Sequence, residues 1–237
     1  GSTGAADPFF SPDGRWIGFF AGESLMKVPV DGGAAVTIPG TPTQRGLTWT
    51  ADDMIYVTPR DNTGLWRVPA TGGALEAVTT LADGDASHRW PQVLPGGTAV
   101  MYTLWNGAWA PARIAVQPLA GGKADPNQPR RIIVTGGGFA RFVPGGGADQ
   151  GRVIYTNGDA MFSVPFDVRR FETTGPPRSL ADGLITNFSG GAQFAVASNG
   201  LIAYVSSGGE PQERELDWVS RDGTTTLAAK LPGLGRR

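Results

Sequence analysis

The stretch "DPFFSPDGRWIGFF" at residues 7–20 contains two apolar runs separated by Ser11-Pro12-Asp13-Gly14. Serine, proline, aspartate and glycine favour tight turns, so the stretch predicts two antiparallel strands joined by a hairpin. An isolated hairpin is only marginally stable in water. The hairpin therefore needs further strands beside it, and the rest of the chain supplies them as repeats.

The hairpin pattern returns four times, as "WTADDMIYVTP" at 49–59, "VLPGGTAVMYT" at 93–103, "VPGGGADQGRVIYT" at 143–156 and "VASNGLIAYVS" at 196–206. One position of this unit is occupied by Phe19, Tyr56, Tyr102, Tyr155 and Tyr204, which include all four tyrosines of the chain. An aromatic residue repeated at such spacing is typical of packing between neighbouring repeats. The same packing is expected of Trp16, Trp66, Phe162 and Trp218.

A second motif follows each hairpin, as in "LMKVPVDGG" at 25–33 and "LWRVPATGG" at 65–73, and a short final strand follows that motif. Each repeat thus holds four strands, named a to d in chain order. Four-stranded antiparallel repeats of about 40–50 residues are typical of β-propeller blades. We expect one all-β propeller domain over residues 1–237, with about five blades at 5–40, 41–82, 86–136, 138–183 and 190–229.

Composition agrees with this fold and narrows the classes of function. The chain has 36 glycines and 19 prolines, which suits a protein with many turns. It has no cysteine, which excludes disulfides, thiolate metal sites and cysteine nucleophiles. The net charge of −1 predicts no nucleic-acid partner. No run of 18 apolar residues occurs, so we expect this segment itself to make no membrane contact.

The segments "SPDGRWIGFF", "KVPVDGG" and "SHRWPQVLPGG" resemble the TolB-type, WD-like propeller repeat. More narrowly, the chain is similar to the propellers that follow the kinase domain of some bacterial serine/threonine protein kinases. That resemblance implies a bacterial sensor or scaffold module, extracytoplasmic or periplasmic, with any kinase domain and membrane tether outside these residues. A free-standing periplasmic TolB-like protein-interaction propeller is the alternative. Members of the family usually have more blades, so we expect either a five-bladed ring or part of a six- to eight-bladed ring truncated at one or both ends.

The sequence contains few candidate catalytic residues. His88 is the only histidine and therefore the only possible base of a serine-type triad, but no Gly-x-Ser-x-Gly motif accompanies it. Propeller glycosidases need two convergent carboxylates, and the strand-a segments offer only Asp7. We therefore expect no enzyme, no catalytic residue, no metal and no cofactor in this chain, with a glycosidase or a peptidase-associated propeller as the remaining enzymatic alternative.

The axial mouth, where the innermost strands begin, is the expected binding site. Repeat alignment predicts that it is lined by Asp7, Arg45, His88, Arg89, Arg141, Asn187 and Gln193. Three of these residues are arginines, which favour an anionic peptide or a carboxylate. The expected partner is accordingly a protein, a peptide or a small ligand at this mouth.

Overall fold

A computed structural model describes residues 5–39, 45–107, 112–147, 149–187, 189–197, 199–207, 213–220 and 223–232. The fold is an all-β propeller of five antiparallel blades, as the repeat predicts. The chain divides into two compact units, Gly1–Ala108 with Ile114–Ile132, and Trp109–Arg113 with Ile133–Arg237. We call them unit 1 and unit 2 and describe each by itself.

Unit 1 holds the first two blades and most of the third. Blade 1 consists of β1 (Ala5–Phe10), β2 (Trp16–Ala21), β3 (Ser24–Pro29) and β4 (Val36–Ile38). Blade 2 consists of β5 (Leu47–Trp49), β6 (Met54–Val57), β7 (Trp66–Pro69) and β8 (Glu76–Ala77). Blade 3 consists of β9 (Ser87–Val93), β10 (Ala99–Trp105), β11 (Arg113–Ala120), β12 (Lys123–Ala124) and β13 (Arg131–Thr135). Both β12 and β13 pair with β11, so the outermost strand of this blade is split in two.

Unit 2 holds the remaining two blades. Blade 4 consists of β14 (Gly138–Pro144), β15 (Gln150–Asn157), β16 (Ala160–Asp167), β17 (Glu172–Thr173) and β18 (Arg178–Ala181). Blade 5 consists of β19 (Phe194–Val196), β20 (Ile202–Ser206), β21 (Glu213–Val219) and β22 (Thr225–Pro232). Strands follow one another as antiparallel neighbours within each blade, which is the order the sequence repeat predicts.

The turn that opens the chain shows why its sequence is so specific. The Ser11 hydroxyl donates to the Asp13 carboxylate at 2.6 Å, and the Trp16 amide donates to the Ser11 hydroxyl at 2.9 Å. Asp13 also accepts the Arg15 amide at 3.0 Å. The Ser11 hydrogen bond, followed by those from Arg15, holds the pKa of Asp13 well below its usual range. Side chains of the turn thus satisfy backbone donors that the sheet leaves unpaired.

The repeated aromatic residues lie in the core as expected. Phe19 and all four tyrosines are buried. In unit 1, Tyr56 and Tyr102 belong to one apolar cluster that also contains Leu65 of blade 2 and Leu104 of blade 3. Trp218 is the exception, because 41% of its surface is exposed. The expectation that Trp218 packs in the core is therefore wrong, since no described element covers its ring fully.

Blades 2 and 3 are also joined through the backbone. The Trp90 amide donates to the Arg45 carbonyl at 2.8 Å, and the His88 amide donates to the Thr63 carbonyl at 3.0 Å. Gly46 permits this approach, because a Cβ atom there would lie 2.8 Å from the Cα of Trp90. Close packing of the two blades therefore places the beginnings of their inner strands side by side.

Candidate functional site

The first four blades have a recurring left-handed residue in or just before their inner strands. Asp7, Trp90 and Phe139 have φ angles of 49°, 56° and 46°, and Gly46 at the equivalent position of blade 2 has 88°. Pairing with strand b shifts register at this point in blades 1, 3 and 4. A β-bulge of this kind redirects the neighbouring side chains. The usual alternation of side chains between the two faces of a strand therefore does not predict where the side chains of the predicted mouth residues point.

In unit 1 the structure brings Arg45 and Arg89 together. Arg45 lies 2.6 Å and Arg89 3.8 Å from the carboxylate of Asp61, a residue that the sequence analysis did not select. The Arg89 guanidinium stacks on Trp105 at 4.6 Å and donates to Ser87 at 2.7 Å. Burial, with the nearby charge of Arg45, lowers the pKa of Arg89 to about 10. The two arginines form a packed ion cluster at the start of the inner strands.

Asp7 is exposed near the start of β1. Partial desolvation of its carboxyl group raises its pKa, against the lowering effect of the Arg45 charge. His88 and Arg89 are both buried. The register of β9 directs the His88 ring against Tyr102 at 4.5 Å between ring centroids. A ligand-binding role of His88 stays a prediction.

The His88 ring belongs to a buried polar network. Its Nε2 lies 3.3 Å from the Asp85 carboxylate, whose side chain is fully buried. Asp85 also accepts hydrogen bonds from both terminal nitrogens of Arg130 and from the Ala82 amide at 3.0 Å. Burial raises the pKa of Asp85, but these hydrogen bonds together bring it below the usual value. Asp85 is thus an ionised carboxylate held inside unit 1 by its donors.

Thr79 completes the network and fixes the tautomer of His88. The Thr79 hydroxyl accepts the Leu65 amide at 2.8 Å and lies 2.7 Å from Nδ1 of His88. An imidazole that donates from Nε2 to Asp85 is left with Nδ1 as an acceptor for the hydroxyl proton. The order threonine, histidine, aspartate resembles a nucleophile triad, but Thr79 and His88 are both buried. The geometry therefore supports a role in holding the structure together.

We expect acid to destabilise the protein through His88. Burial lowers the pKa of His88 to about 4, against the opposing effect of Asp85. An unfolded histidine binds its proton near pH 6.5, so stability is lost as pH falls from that value toward the folded pKa. The free energy of unfolding, from urea titrations, should drop by about 2–3 kcal/mol between pH 7.5 and pH 4.5.

His88→Gln serves as the control for this pH dependence because glutamine does not titrate. The variant is expected to be less stable at pH 7.5 but to lose little further stability down to pH 4.5. An unchanged pH slope in the variant would show that other groups cause the acid sensitivity.

The predicted mouth residues of unit 2 have local partners. The Arg141 guanidinium stacks on Phe139 at 4.4 Å and donates to the Ala140 carbonyl at 2.8 Å, and burial lowers its pKa to about 10. The Asn187 side-chain oxygen accepts hydrogen bonds from Ser189 and Gly191 and so shapes its own loop. Gln193 is exposed. The binding role of these three residues stays a prediction.

Unit 2 contains a cavity that the sequence analysis did not anticipate. It has a volume of about 390 Å³ and lies between blades 4 and 5, at the end where strand a turns into strand b. Its apolar wall consists of Val143, Pro144, Ile154, Pro165, Leu180 and Ile202. Its polar groups include Gln150, Arg152, Ser163 and Ser220. A size of this order and a mainly apolar wall with few polar groups are typical of small-molecule sites.

Unit 1 has a groove of about 650 Å³ between blades 2 and 3, at the corresponding turns. Its arginine, Arg67, is held by neighbours: it pairs with Glu76 at 2.9 Å and donates to the Gly121 carbonyl at 2.8 Å. Tyr56 lies beside it and donates to the Gly122 carbonyl at 3.3 Å. The polar groups of this groove therefore serve to join the two blades.

Within the described ranges, no three histidine, aspartate or glutamate side chains gather as metal ligands would. Among the same residues, no helix is long and apolar enough to cross a membrane. The predictions about metals and cofactors remain predictions from the sequence.

Comparison with known proteins shows the fold. A TolB-like protein from Agrobacterium tumefaciens is 13% identical with a TM-score of 0.69, over 97% of this chain and 82% of that one. A gluconolactonase from Xanthomonas campestris is 14% identical with a TM-score of 0.66, over 98% and 76%. Regucalcin, a calcium-binding protein from Agrobacterium tumefaciens, is 18% identical with a TM-score of 0.63, over 95% and 73%. No family model and no curated protein sequence matches the chain.

These neighbours overturn the prediction that the chain is not an enzyme. That prediction followed from missing strand-a carboxylates and a missing serine-nucleophile motif, which concern only glycosidase and serine-hydrolase chemistry. The same fold carries a gluconolactonase, so the lack of these two features does not exclude an enzyme. The neighbours support a propeller of the kind found among both enzymes and binding proteins.

Arg152 was not among the predicted site residues, because the predicted site lay at the starts of the inner strands. Arg152 was visible as the one charged residue in "GRVIYT" at 151–156. Its significance depends on the strands beside it, where Pro165 stands opposite Arg152 and Ser163 opposite Ile154. That register cannot be read from one strand alone.

Proposed function

We propose that this protein is a ligand-binding propeller and that its binding site is the cavity between blades 4 and 5. The proposal rests on the cavity, which has an apolar wall and only a few polar groups in its lining. Strands β15 and β16 form one side, and their eight consecutive residue pairs make that side a rigid surface. A preformed cavity lets a ligand bind without ordering a loop first.

A direct test uses ligand-detected NMR with a mixed panel of single-ring alcohols, amides, carboxylates and phosphates. Leu180→Trp should fill the cavity from its half-buried rim and abolish binding. Leu227→Trp is the matched control, because Leu227 is 53% exposed on β22 and does not line the cavity. The proposal fails if no panel member binds, or if Leu180→Trp binds as well as the parent protein.

The finer role implied by the resemblance to kinase-linked propellers is a sensor for such a ligand, in an extracytoplasmic location. It rests on the quoted sequence motifs alone. Fusion of the chain to a reporter enzyme that is active only outside the cytoplasm tests the location. A TolB-like role in protein interaction is the alternative, and the TolB-like structural neighbour favours keeping it.

A further inference from the structure

We infer that the cavity between blades 4 and 5 recognises a small molecule with an anionic head group, a carboxylate or a phosphate, and an apolar body. The inference rests on the proposed function and adds the chemical class of the ligand. Its basis is Arg152, a guanidinium within an otherwise largely apolar wall.

Arg152 is anchored but not neutralised. Its Nε donates to the Ser163 hydroxyl, and a terminal nitrogen donates to the Ser163 carbonyl at 3.3 Å. Ser163 is 1% exposed, so the anchor is a fixed interior group. In the described part of the chain no carboxylate lies within ion-pair distance of Arg152. A guanidinium has five donors, so donors remain for a ligand.

A second arginine raises the positive charge beside it. Arg178 on β18 stands opposite Ser163 in the sheet. Burial and the charge of Arg178 together lower the pKa of Arg152, which places the two cations within electrostatic range of each other. Among the described residues, Arg178 also has no carboxylate at ion-pair distance. The two cations lie on the strands that flank Ser163, β15 and β18. An anion would reduce the repulsion between them, and guanidinium groups bind carboxylate and phosphate well.

The groove of unit 1 provides the contrast within the same molecule. There Arg67 is paired with Glu76, which Lys123 also approaches at 3.4 Å. An arginine between two blades can therefore be satisfied by the protein when a carboxylate stands opposite it. Arg152 instead stands opposite Val143 on β14 and Pro165 on β16, neither of which carries a charge. Arg67 has a carboxylate partner within the protein, and Arg152 has none among the described residues. We therefore expect Arg152 to bind an anion supplied by a ligand.

The apolar wall determines the rest of the ligand. Ile154, Pro165 and Ile202 line the same cavity as Arg152, so an ion pair formed there lies beside hydrocarbon. An ion pair in such surroundings is stronger than one in bulk water. An inorganic anion has no apolar part that could pack against this wall. We therefore expect an anion joined to an apolar group.

The test compares molecules that differ only in charge: phenylacetate with phenylacetamide, and benzyl phosphate with benzyl alcohol. Isothermal titration should show at least tenfold tighter binding of each anion, and tighter binding at low than at high salt. Arg152→Gln should remove this preference and leave the weak affinity for the neutral molecules. Arg178→Gln should weaken the phosphate more than the carboxylate, because the phosphate carries more charge.

Arg169→Gln is the matched control, since Arg169 is exposed in the same unit and pairs with Asp149, and neither residue lines the cavity. It should retain the preference for anions. Equal binding of charged and neutral molecules, unchanged by Arg152→Gln, would overturn the anionic assignment while leaving the cavity a binding site. Absence of binding by all four molecules, together with no effect of Leu180→Trp on the wider panel, would instead overturn the proposed function.

Discussion

Replacement of Asp85 by alanine is expected to destabilise the protein by about 3–5 kcal/mol, because removing one partner of a buried ion pair leaves the other charge buried and unpaired. The Asp85 side chain is fully buried and receives hydrogen bonds from Arg130, His88 and the Ala82 amide. For a chain of this size the change corresponds to a fall in melting temperature of roughly 6–20 °C. Calorimetry and urea titration at pH 7.5 would measure it.

Two variants separate the causes. Asp85→Asn keeps a hydrogen-bond acceptor but loses the charge, so it should fall between the parent protein and Asp85→Ala. Asp149→Ala breaks the exposed Arg169 pair and should leave stability nearly unchanged, because exposed ion pairs contribute little. If Asp85→Ala were as harmless as Asp149→Ala, the buried network would have no structural role.

Replacement of Tyr102 by alanine should cost a similar amount, about 3–5 kcal/mol, because it leaves a large cavity in the core. Tyr102 is 1% exposed and packs with Tyr56 and Leu104 at the junction of blades 2 and 3. Its ring also contacts His88. Urea unfolding followed by tryptophan fluorescence would report the loss.

Tyr102→Phe is the conservative comparison. It retains the ring and removes only the hydroxyl, whose pKa burial raises against the opposing charge of Arg130. The cost should be about 1 kcal/mol, the order of magnitude of a single polar interaction. If Tyr102→Ala cost no more than Tyr102→Phe, the assignment of this ring to packing between blades would be wrong.

The strands could be located from the sequence because their signals are local. Turn residues such as Asp13 and the glycine pairs act within four or five residues of the chain. The short final strand that the sequence predicts after the second motif of blade 1 is present as β4 (Val36–Ile38). The tyrosine repeat adds a signal that depends only on spacing, and it identified core positions without knowledge of the partners.

The burial and the partners of the charged side chains could not be predicted from the sequence in the same way. His88 was predicted near the axial mouth, but the sequence did not show that its ring is buried beside Asp85, which the register of β9 decides. Asp61 was not selected, yet it holds Arg45. In each case the partner lies on another strand or loop, so it is fixed only when blades pack.

The sequence by itself determined the all-β class, the four-stranded repeat and the five blades of this protein. Turn propensity and aromatic spacing are properties of neighbouring residues, so a single chain displays them. Only the tertiary structure decided that Arg67 meets Glu76 whereas Arg152 meets Ser163 and lines a cavity. Those pairings follow from strand register, which adjacent strands settle jointly when they bury their apolar faces.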